Sequence, residues 1–208
     1  IITRLKNHSQ HIQTVRGKAW IAAVDLGSIA THVVINRSLT MKPKMRLEAH
    51  DPFGITHMLA ILSSEKDKLK LVIKNFDEDK TSNYFEHWDG IPLELLTDLF
   101  LGIPQIPAKS KVTQTDIDSF TLSTNSQEQQ YFLEWPMGEE AVISGFLLKK
   151  QKIKIGAQFS KFEHENGILL PKEIKISDHS QFEIRIRWQE REINVNVPSA
   201  SFIIPENL

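Results

Sequence analysis

Short segments in which apolar and polar residues alternate, separated by turn residues, run through most of this chain. A period of two is the pattern of a β-strand with one buried and one wet face. The clearest apolar sets are Met45, Leu47 and Ala49; Leu69, Leu71 and Ile73; and Phe182, Ile184, Ile186 and Trp188. The chain is therefore predicted to be mainly β.

Residues 15–26, 29–39 and 55–62 are instead apolar on both faces, which indicates that something apolar covers their second side. The turns between predicted strands are short, so consecutive strands should pair antiparallel. Further strands are predicted at 83–87, 130–135, 142–149, 152–162, 173–177 and 191–197. The predicted fold class is mainly β with α. About ten or eleven strands form a strongly curved antiparallel sheet, an incomplete β-barrel covered by a few short helices.

Two stretches have helical spacing. Residues of about 1–14 place Leu5 and Ile12 on one face of an N-terminal helix. A second helix is predicted over about residues 92–102, since Pro92 favours a first helical turn and Gly102 lies near the end. Because apolar residues occupy nearly all of its sides, this helix should be buried or should form a lid over a hydrophobic cavity.

The polar stretch of residues 106–129 is rich in Ser, Thr, Gln, Lys and Asp, with apolar residues spaced through it. We expect a loop there that contains one helical turn. No repeat with a period of 20 to 50 residues occurs along the chain, so a repeat architecture is not predicted.

Length and charge limit the classes of protein. A chain of 208 residues of which 40% are hydrophobic fits one domain spanning residues 1–208. Its 25 basic and 26 acidic residues balance, so charge gives no reason to expect a nucleic-acid partner. Cysteine is absent, which excludes disulfides and thiolate chemistry.

Catalytic and metal-binding motifs are missing as well. No G-x-S-x-G, H-E-x-x-H, P-loop or G-x-G-x-x-G pattern occurs. His50 and His57 flank one predicted turn, and Asp116 with Asp118 or the acidic run 77–79 could be paired, but none has the spacing of a metal or acid–base site. We expect these to be solvated surface residues. The chain is predicted to have no metal, no cofactor and no catalytic residue, and not to be an enzyme.

The two-faced strands beside an almost wholly apolar helix suit a cavity between sheet and lid. Such a cavity would accept acyl chains or other apolar ligands, because it offers burial with few polar partners. The candidate lining residues are Trp20, Val24, Val34, Met58, Leu96, Leu99, Phe100 and Phe146.

Four stretches carry a further pattern. They are Val15-Arg16-Gly17-Lys18-Ala19 after the amphipathic start; residues 43–54, ending in Asp51-Pro52-Phe53-Gly54; residues 95–104, ending in Leu-Gly-Ile-Pro; and residues 166–176, with a Leu-Pro turn into a late strand. In this order and spacing they resemble the LolA/LolB superfamily, and especially the lipoprotein relatives of LolB. The tail after Arg191 has no clear signature of that superfamily.

The resemblance implies an incomplete barrel that binds the acyl chains of lipoproteins or other lipids and acts in lipoprotein localisation or outer-membrane biogenesis. It also implies a periplasmic monomer in contact with the inner leaflet of the outer membrane. The first residue is Ile1 rather than methionine, and we expect an anchoring N-terminal lipid upstream of it. Phe53 matches the leucine that LolB-type receptors expose on a protruding turn, so it is the candidate membrane-contact residue; the alternative is that it folds under the sheet.

Two other functions remain open at this point. The same fold could serve as a structural or sensory outer-membrane lipoprotein that binds a protein partner without lipid transport, and a collapsed interior would favour it. An enzyme acting on a lipid or glycan would need titratable groups clustered inside the cavity.

Overall fold

A computed structural model describes residues 2–23, 27–37, 42–51, 53, 55–65, 68–75, 91–107, 111–116, 118–123, 127–136, 140–150, 153–178 and 183–203. These residues form α1 Ile2–Gln10, β1 Thr14–Ala23, β2 Gly27–Asn36, β3 Lys44–His50, β4 Thr56–Glu65, β5 Lys68–Asn75, α2 Leu93–Leu101, β6 Lys111–Thr115, β7 Ser119–Ser123, β8 Glu128–Glu134, β9 Val142–Lys150, β10 Ile153–Glu165, β11 Ile168–Asp178 and β12 Glu183–Ile193. A short 3-10 helix, Ser199–Phe202, follows β12.

The strands form one sheet in the order β5-β4-β3-β2-β1-β12-β11-β10-β9-β8-β7-β6. The neighbours from β5 to β1 and from β11 to β6 pair antiparallel. The order is linear, and no pairing within the described part of the chain joins β5 to β6. The prediction of a mainly antiparallel sheet that is not closed into a barrel is therefore confirmed.

The chain divides into two compact units. Unit 1 contains Ile1–His11 and Asp98–Ile186, and unit 2 contains Ile12–Thr97 and Arg187–Leu208. Both α2 and β12 pass from one unit into the other, so each contributes residues to both.

The core of unit 1 is built on aromatic residues that face one another across neighbouring strands. Phe120, Tyr131 and Phe146 occupy one rung of β7, β8 and β9, and all three are buried. The Phe120 and Tyr131 rings stack with centroids 4.8 Å apart, and Phe146 meets Tyr131 edge-on at 5.3 Å. Such aromatic pairs add about 1 kcal/mol beyond burial alone.

The C-terminal end of α2 is fixed by a glycine cap. Gly102 has φ +70°, and its N–H donates to the Leu99 carbonyl at 3.1 Å while the Ile103 N–H donates to the Asp98 carbonyl at 3.0 Å. This pair of bonds satisfies carbonyls that the helix end would leave open. The helix bounds therefore lie within one residue of the predicted 92–102.

In unit 2 the first four strands share one apolar face. Val15, Ile35, Met45 and Leu62 lie opposite one another across β1 to β4, and none is more than 1% exposed. The alternation predicted for β3 holds, because Met45, Leu47 and Ala49 are buried and their neighbours in the strand are not.

The second side of β4 is covered by the C-terminal segment, within unit 2. Phe202 of the 3-10 helix packs with Leu59 and Ile61 in one cluster, to which Val34 and Val197 also contribute. The Arg46 guanidinium donates to the Ser201 carbonyl at 3.0 Å and fixes the segment in place. This explains why residues 55–62 are apolar on both faces.

Two predictions of local structure were wrong, and a third lies outside the described residues. The prediction of a loop over 106–129 was wrong, since β6 and β7 form a hairpin there. The pairing of Phe120 and Leu122 in β7 with Tyr131 and Gln129 in β8 organises this polar stretch. Helix α1 ends at Gln10 rather than about residue 14, because Thr14 already pairs with Asn36 in the sheet. The strand predicted at 83–87 lies outside the described residues.

Candidate functional site

The apolar face of unit 2 changes in exposure along its strands. Near the start of β1 its side chains are fully buried, as at Val15 and Met45. At the other end of β1 and β2, Ile21 and Ile29 lie opposite each other and are only half-buried, and so is Met58 in β4. These three aliphatic side chains, which we call the apolar rim, could contact an apolar ligand without breaking the core.

The opposite face of the same strands is polar at its centre. Trp20 lies on this face, between buried Ala19 and half-buried Ile21 of the apolar face, and is 40% exposed. Val34 is on the same side and packs at the edge of the Phe202 cluster. Met58, by contrast, lies on the apolar face.

A pair of histidines occupies this polar face. The rings of His32 and His50 have centroids 4.5 Å apart and are tilted by 54°. Burial lowers the pKa of His32, and the nearby His50 and Lys18 lower it further. Although burial alone would raise it, the hydrogen bond and charge of Arg46 hold the pKa of Glu48 below its ordinary value. Beside the two histidines, the positive charge of Arg46 and the negative charge of Glu48 neutralise each other, since their side chains lie 2.8 Å apart.

Metal binding finds no support in this geometry. His57 does not join the histidine pair but lies 3.2 Å from the Asp51 carboxylate. Within the described ranges, no three His, Asp or Glu side chains come together as a metal site would require. Asp116 and Asp118 are exposed at the turn between β6 and β7, and the acidic run 77–79 lies outside the described residues.

The turn between β3 and β4, which we call the tip, carries apolar side chains into solvent. Phe53 is 89% exposed and Ile55 is 61% exposed. Oδ1 of Asp51 accepts hydrogen bonds from the backbone N–H groups of Phe53 at 2.8 Å and Ile55 at 2.9 Å. The alternative that Phe53 folds back under the sheet is therefore wrong.

The tip and the apolar rim lie at the same end of the unit 2 strands. Trp20, Ala30, His50 and Thr56 form the cross-strand rung next to the tip on the polar face. Ile21 and Ile29 form a neighbouring rung on the apolar face. The rim is thus the part of the apolar face that lies at the tip end of these strands.

The interior of unit 1 is tightly packed around the predicted cavity residues that it contains. Leu99, Phe100 and Phe146 are at most 2% exposed. A crevice lined by Leu5, Gly102, Ile103, Val142, Ile143, Phe162 and Leu169 has a volume of about 10 Å³, which is room for about one water molecule. An acyl chain does not fit in this crevice.

A buried polar contact in the same unit holds the segment that follows α2. The Tyr131 hydroxyl donates to the Gln105 carbonyl at 2.7 Å, and the Asp98 carboxylate accepts from the Gln105 N–H at 3.3 Å. Burial raises the pKa of Tyr131, and the charge of Asp98 raises it further. The hydroxyl therefore stays protonated and holds the segment after α2, which is a structural role rather than that of a base or nucleophile.

The other two predicted lining residues cannot be assigned to a ligand site from their placement. Leu96 is fully buried in the N-terminal half of α2, and Val24 lies outside the described residues. The ligand roles of all eight residues stay predictions. Sequence reasoning missed the rim residues Ile21 and Ile29, although the two-faced apolar pattern of their strands contained the signal.

Comparison with known proteins supports the fold. No protein-family model matches the sequence, and no curated protein matches it. No helix in the described residues has the length and apolar character needed to cross a membrane.

Solved structures do match over almost the whole chain. A DUF1329 family protein from Desulfovibrio piger superposes with a TM-score of 0.58 at 10% identity, covering 97% of this chain and 94% of that one. A domain assigned to outer membrane lipoprotein sorting, from Vibrio parahaemolyticus, gives 0.57 at 10% identity, with 96% and 93% covered. A LolA superfamily protein from Nitrosomonas europaea gives 0.52 at 8% identity, with 98% and 97% covered. At such identities the likeness concerns the fold: this chain has a LolA-like fold, as its sequence predicts.

Proposed function

We propose that this protein binds the acyl chains of lipids or lipoproteins and acts in lipoprotein localisation or outer-membrane biogenesis. The apolar rim of unit 2 carries the proposal, since Ile21, Ile29 and Met58 end an otherwise buried apolar face and are themselves only half-buried. The LolA-like fold supports it, because one fold neighbour is assigned to outer membrane lipoprotein sorting. We further propose a periplasmic location and an outer-membrane lipid anchor.

The experiment compares two adjacent residues of β1 that face opposite ways. Ile21→Gln places a polar group on the apolar rim, whereas Trp20→Gln changes an exposed side chain of the other face. Binding of a fluorescent fatty acid and of an acylated peptide should weaken about fivefold to tenfold in the first variant, given the free energy of burying one aliphatic side chain. Binding in the second variant should stay within about twofold of the wild type.

Two results would contradict the proposal. If no lipid is bound in native mass spectrometry and no probe is displaced, the protein does not carry acyl chains. Equal weakening of binding in the two variants would instead mean that the ligand does not bind at the rim.

Phe53 extends the proposal to the membrane. Its side chain projects from the same end of the unit as the rim and has no packing role, so we propose that it contacts the lipid surface from which an acyl chain is taken or to which it is delivered. Phe53→Ser should reduce binding to phosphatidylethanolamine–phosphatidylglycerol vesicles at least about tenfold. Ile203→Ser is the control, because Ile203 is also apolar and 63% exposed but lies after the 3-10 helix. Equal vesicle binding of wild type and Phe53→Ser would refute the contact.

One observation favours the second function, a structural or sensory lipoprotein that binds a protein partner. The residues expected to line a cavity in unit 1 are packed, and the crevice beside α2 holds about one water molecule. Native mass spectrometry distinguishes the two functions, because only the carrier retains lipid through purification.

A further inference from the structure

The described backbone N–H groups of the tip are hydrogen-bonded within the turn. Oδ1 of Asp51 accepts from both the Phe53 and the Ile55 N–H groups. In the other direction, the Asp51 N–H donates to the Ile55 carbonyl at 3.0 Å. The three described residues of the turn therefore have their N–H groups bonded inside the turn, while their two apolar side chains point outward.

This arrangement matters for any surface without water. Hydrocarbon offers no hydrogen-bond partner, so each bare N–H carried into it costs several kcal/mol. A turn at a protein surface normally leaves such groups to water. Here a side chain replaces the water, and it does so from the base of the turn rather than from its apex.

The charge of that side chain is also kept back from the apex. Oδ2 of Asp51 lies 3.2 Å from Nε2 of His57, and only 20% of the Asp51 side chain is exposed. Phe53 is two residues beyond Asp51, which corresponds to about 7 Å of chain at most. Interfacial segments bury their apolar side about 5–10 Å into the headgroup and acyl boundary, so Phe53 reaches that depth while the carboxylate stays near the water.

A protein partner fits these observations less well. Among the described residues of the tip, the apolar surface is formed by the two side chains Phe53 and Ile55, whereas a stable protein interface needs about 800 Å² from each partner. The N–H groups of Phe53 and Ile55 are already bonded to Asp51, so neither of these two groups can donate to a strand of another chain. A lipid surface needs neither a large area nor backbone pairing.

We infer that Asp51 is a positioning residue that makes the tip compatible with lipid, by satisfying the backbone N–H groups of Phe53 and Ile55 so that the Phe53 side chain enters the bilayer surface and the Ile55 side chain contacts it at the level of Asp51. The inference rests on the proposed membrane contact of Phe53. It adds a second contacting residue, Ile55, and the group that allows insertion.

The test uses the full chain, vesicles of phosphatidylethanolamine and phosphatidylglycerol, and four substitutions beside Phe53→Ser. Asp51→Ala removes the acceptor and should weaken binding at least about fivefold, since two N–H groups lose their partner. Asp51→Asn keeps an acceptor oxygen and should bind at least about half as tightly as the wild type. Ile55→Ser should weaken binding about fivefold, whereas Ile203→Ser, with a similar exposed fraction, should not.

The outcomes separate the inference from the proposal beneath it. If Phe53→Ser loses binding but Asp51→Ala does not, the membrane contact stands and the role of Asp51 is wrong. If Asp51→Asn binds as poorly as Asp51→Ala, the hydrogen-bond role is also wrong. If neither Phe53→Ser nor Ile55→Ser reduces binding, the membrane contact itself fails.

Amide hydrogen exchange of the wild-type protein gives a check that does not depend on any variant folding. The Phe53 and Ile55 amides should exchange more slowly than expected for an exposed turn, because both are bonded to a carboxylate. Exchange at the rate of an unstructured peptide would overturn the inference.

Discussion

Two hairpin turns in this protein solve the same problem in different ways. The turn between β10 and β11 has two residues, Asn166 and Gly167, with φ of +50° and +79°, and it joins the paired residues Glu165 and Ile168. Positive φ at both positions matches the twist of the flanking strands without help from any side chain. The tip between β3 and β4 instead relies on the Asp51 carboxylate, and it exposes Phe53 where the other turn exposes polar residues.

The comparison separates a turn whose residues serve only the shape of the backbone from a turn whose residues also form a contact surface. An Asn-Gly turn is the default for ending a hairpin in water. The aromatic side chain at the apex of the tip, in contrast, is 89% exposed and packs against neither strand. The contrast therefore supports a contact role for the tip and a purely structural role for the Asn-Gly turn.

The largest effect on stability should come from Gly167→Val. A β-branched residue at φ +79° is strained, and the free energy of unfolding should fall by about 2 kcal/mol. Gly156→Ala is the control, because its new Cβ would make only an ordinary contact at 3.6 Å from Ser177 Oγ. Urea unfolding of the two variants measures both, and similar losses would mean that the conformation of Gly167 is not what matters.

Asn166→Ala should have a smaller effect at the same turn. Alanine tolerates φ +50° less well than asparagine, so we expect a loss of about 1 kcal/mol in urea unfolding. Asn166→Gly should be neutral within about 0.5 kcal/mol. A loss in the glycine variant equal to that in the alanine variant would show that the asparagine side chain, rather than the backbone, carries the effect.

The tip should respond to acid in a way that the Asn-Gly turn does not. The hydrogen bond from the Ile55 N–H, assisted by His57 and the Phe53 N–H and opposed by burial, lowers the pKa of Asp51. A carboxyl group whose pKa is lower in the folded state than in the unfolded state stabilises the folded protein at pH values above the unfolded pKa of about 3.9. That contribution is lost as the pH falls through the folded pKa. Carbon-13 NMR of the Asp51 carboxyl should show a midpoint below 3.9, and Asp51→Asn should abolish the titration of the Phe53 amide. A midpoint at or above the ordinary value would contradict the geometry.

Phe53→Ser should have the smallest effect on stability. A side chain exposed to 89% contributes little to packing, so the free energy of unfolding should change by at most about 0.5 kcal/mol. Thermal unfolding by circular dichroism measures this. A loss above about 1 kcal/mol would indicate a structural role for Phe53 and would weaken the contrast between the turns.

Much of the fold could be predicted from local pattern. The alternation in β3 follows directly from one wet face, and the bounds of α2 follow from Pro92 and the Gly102 cap. Residues 106–129 escaped prediction because the hairpin there depends on Phe120 and Leu122 pairing with β8, a contact that a polar composition does not reveal. Long-range pairing also ended α1 early, since the bond from the Gln13 N–H to Asn194 Oδ1 commits the chain to the sheet.

The candidate site was predicted in part. The exposure of Phe53 was predicted from the resemblance of its turn to that of LolB-type receptors, with burial under the sheet left open as the alternative. The direction of Trp20 could not be read from a strand that is apolar on both faces. Only the pairing of β1 with β2 shows that Ile21, rather than Trp20, shares the apolar face with Ile29. The apolar residues on both faces of β4 predicted that something apolar covers Leu59 and Ile61. The pattern could not identify Phe202 as the covering residue, because Phe202 is distant in sequence.

The place of β12 in the sheet has a consequence for biosynthesis. This last strand lies between β1 and β11, and the Gln13–Asn194 contact that accompanies it spans 181 positions. Because the ribosome synthesises the chain from its N-terminus, one edge of β1 has no partner strand until residues 183–193 of β12 have been made. An unpaired edge invites association with other chains, and a truncation before residue 187 would make that exposure permanent. β1 thus gains its second neighbour only in a chain that has been translated through β12.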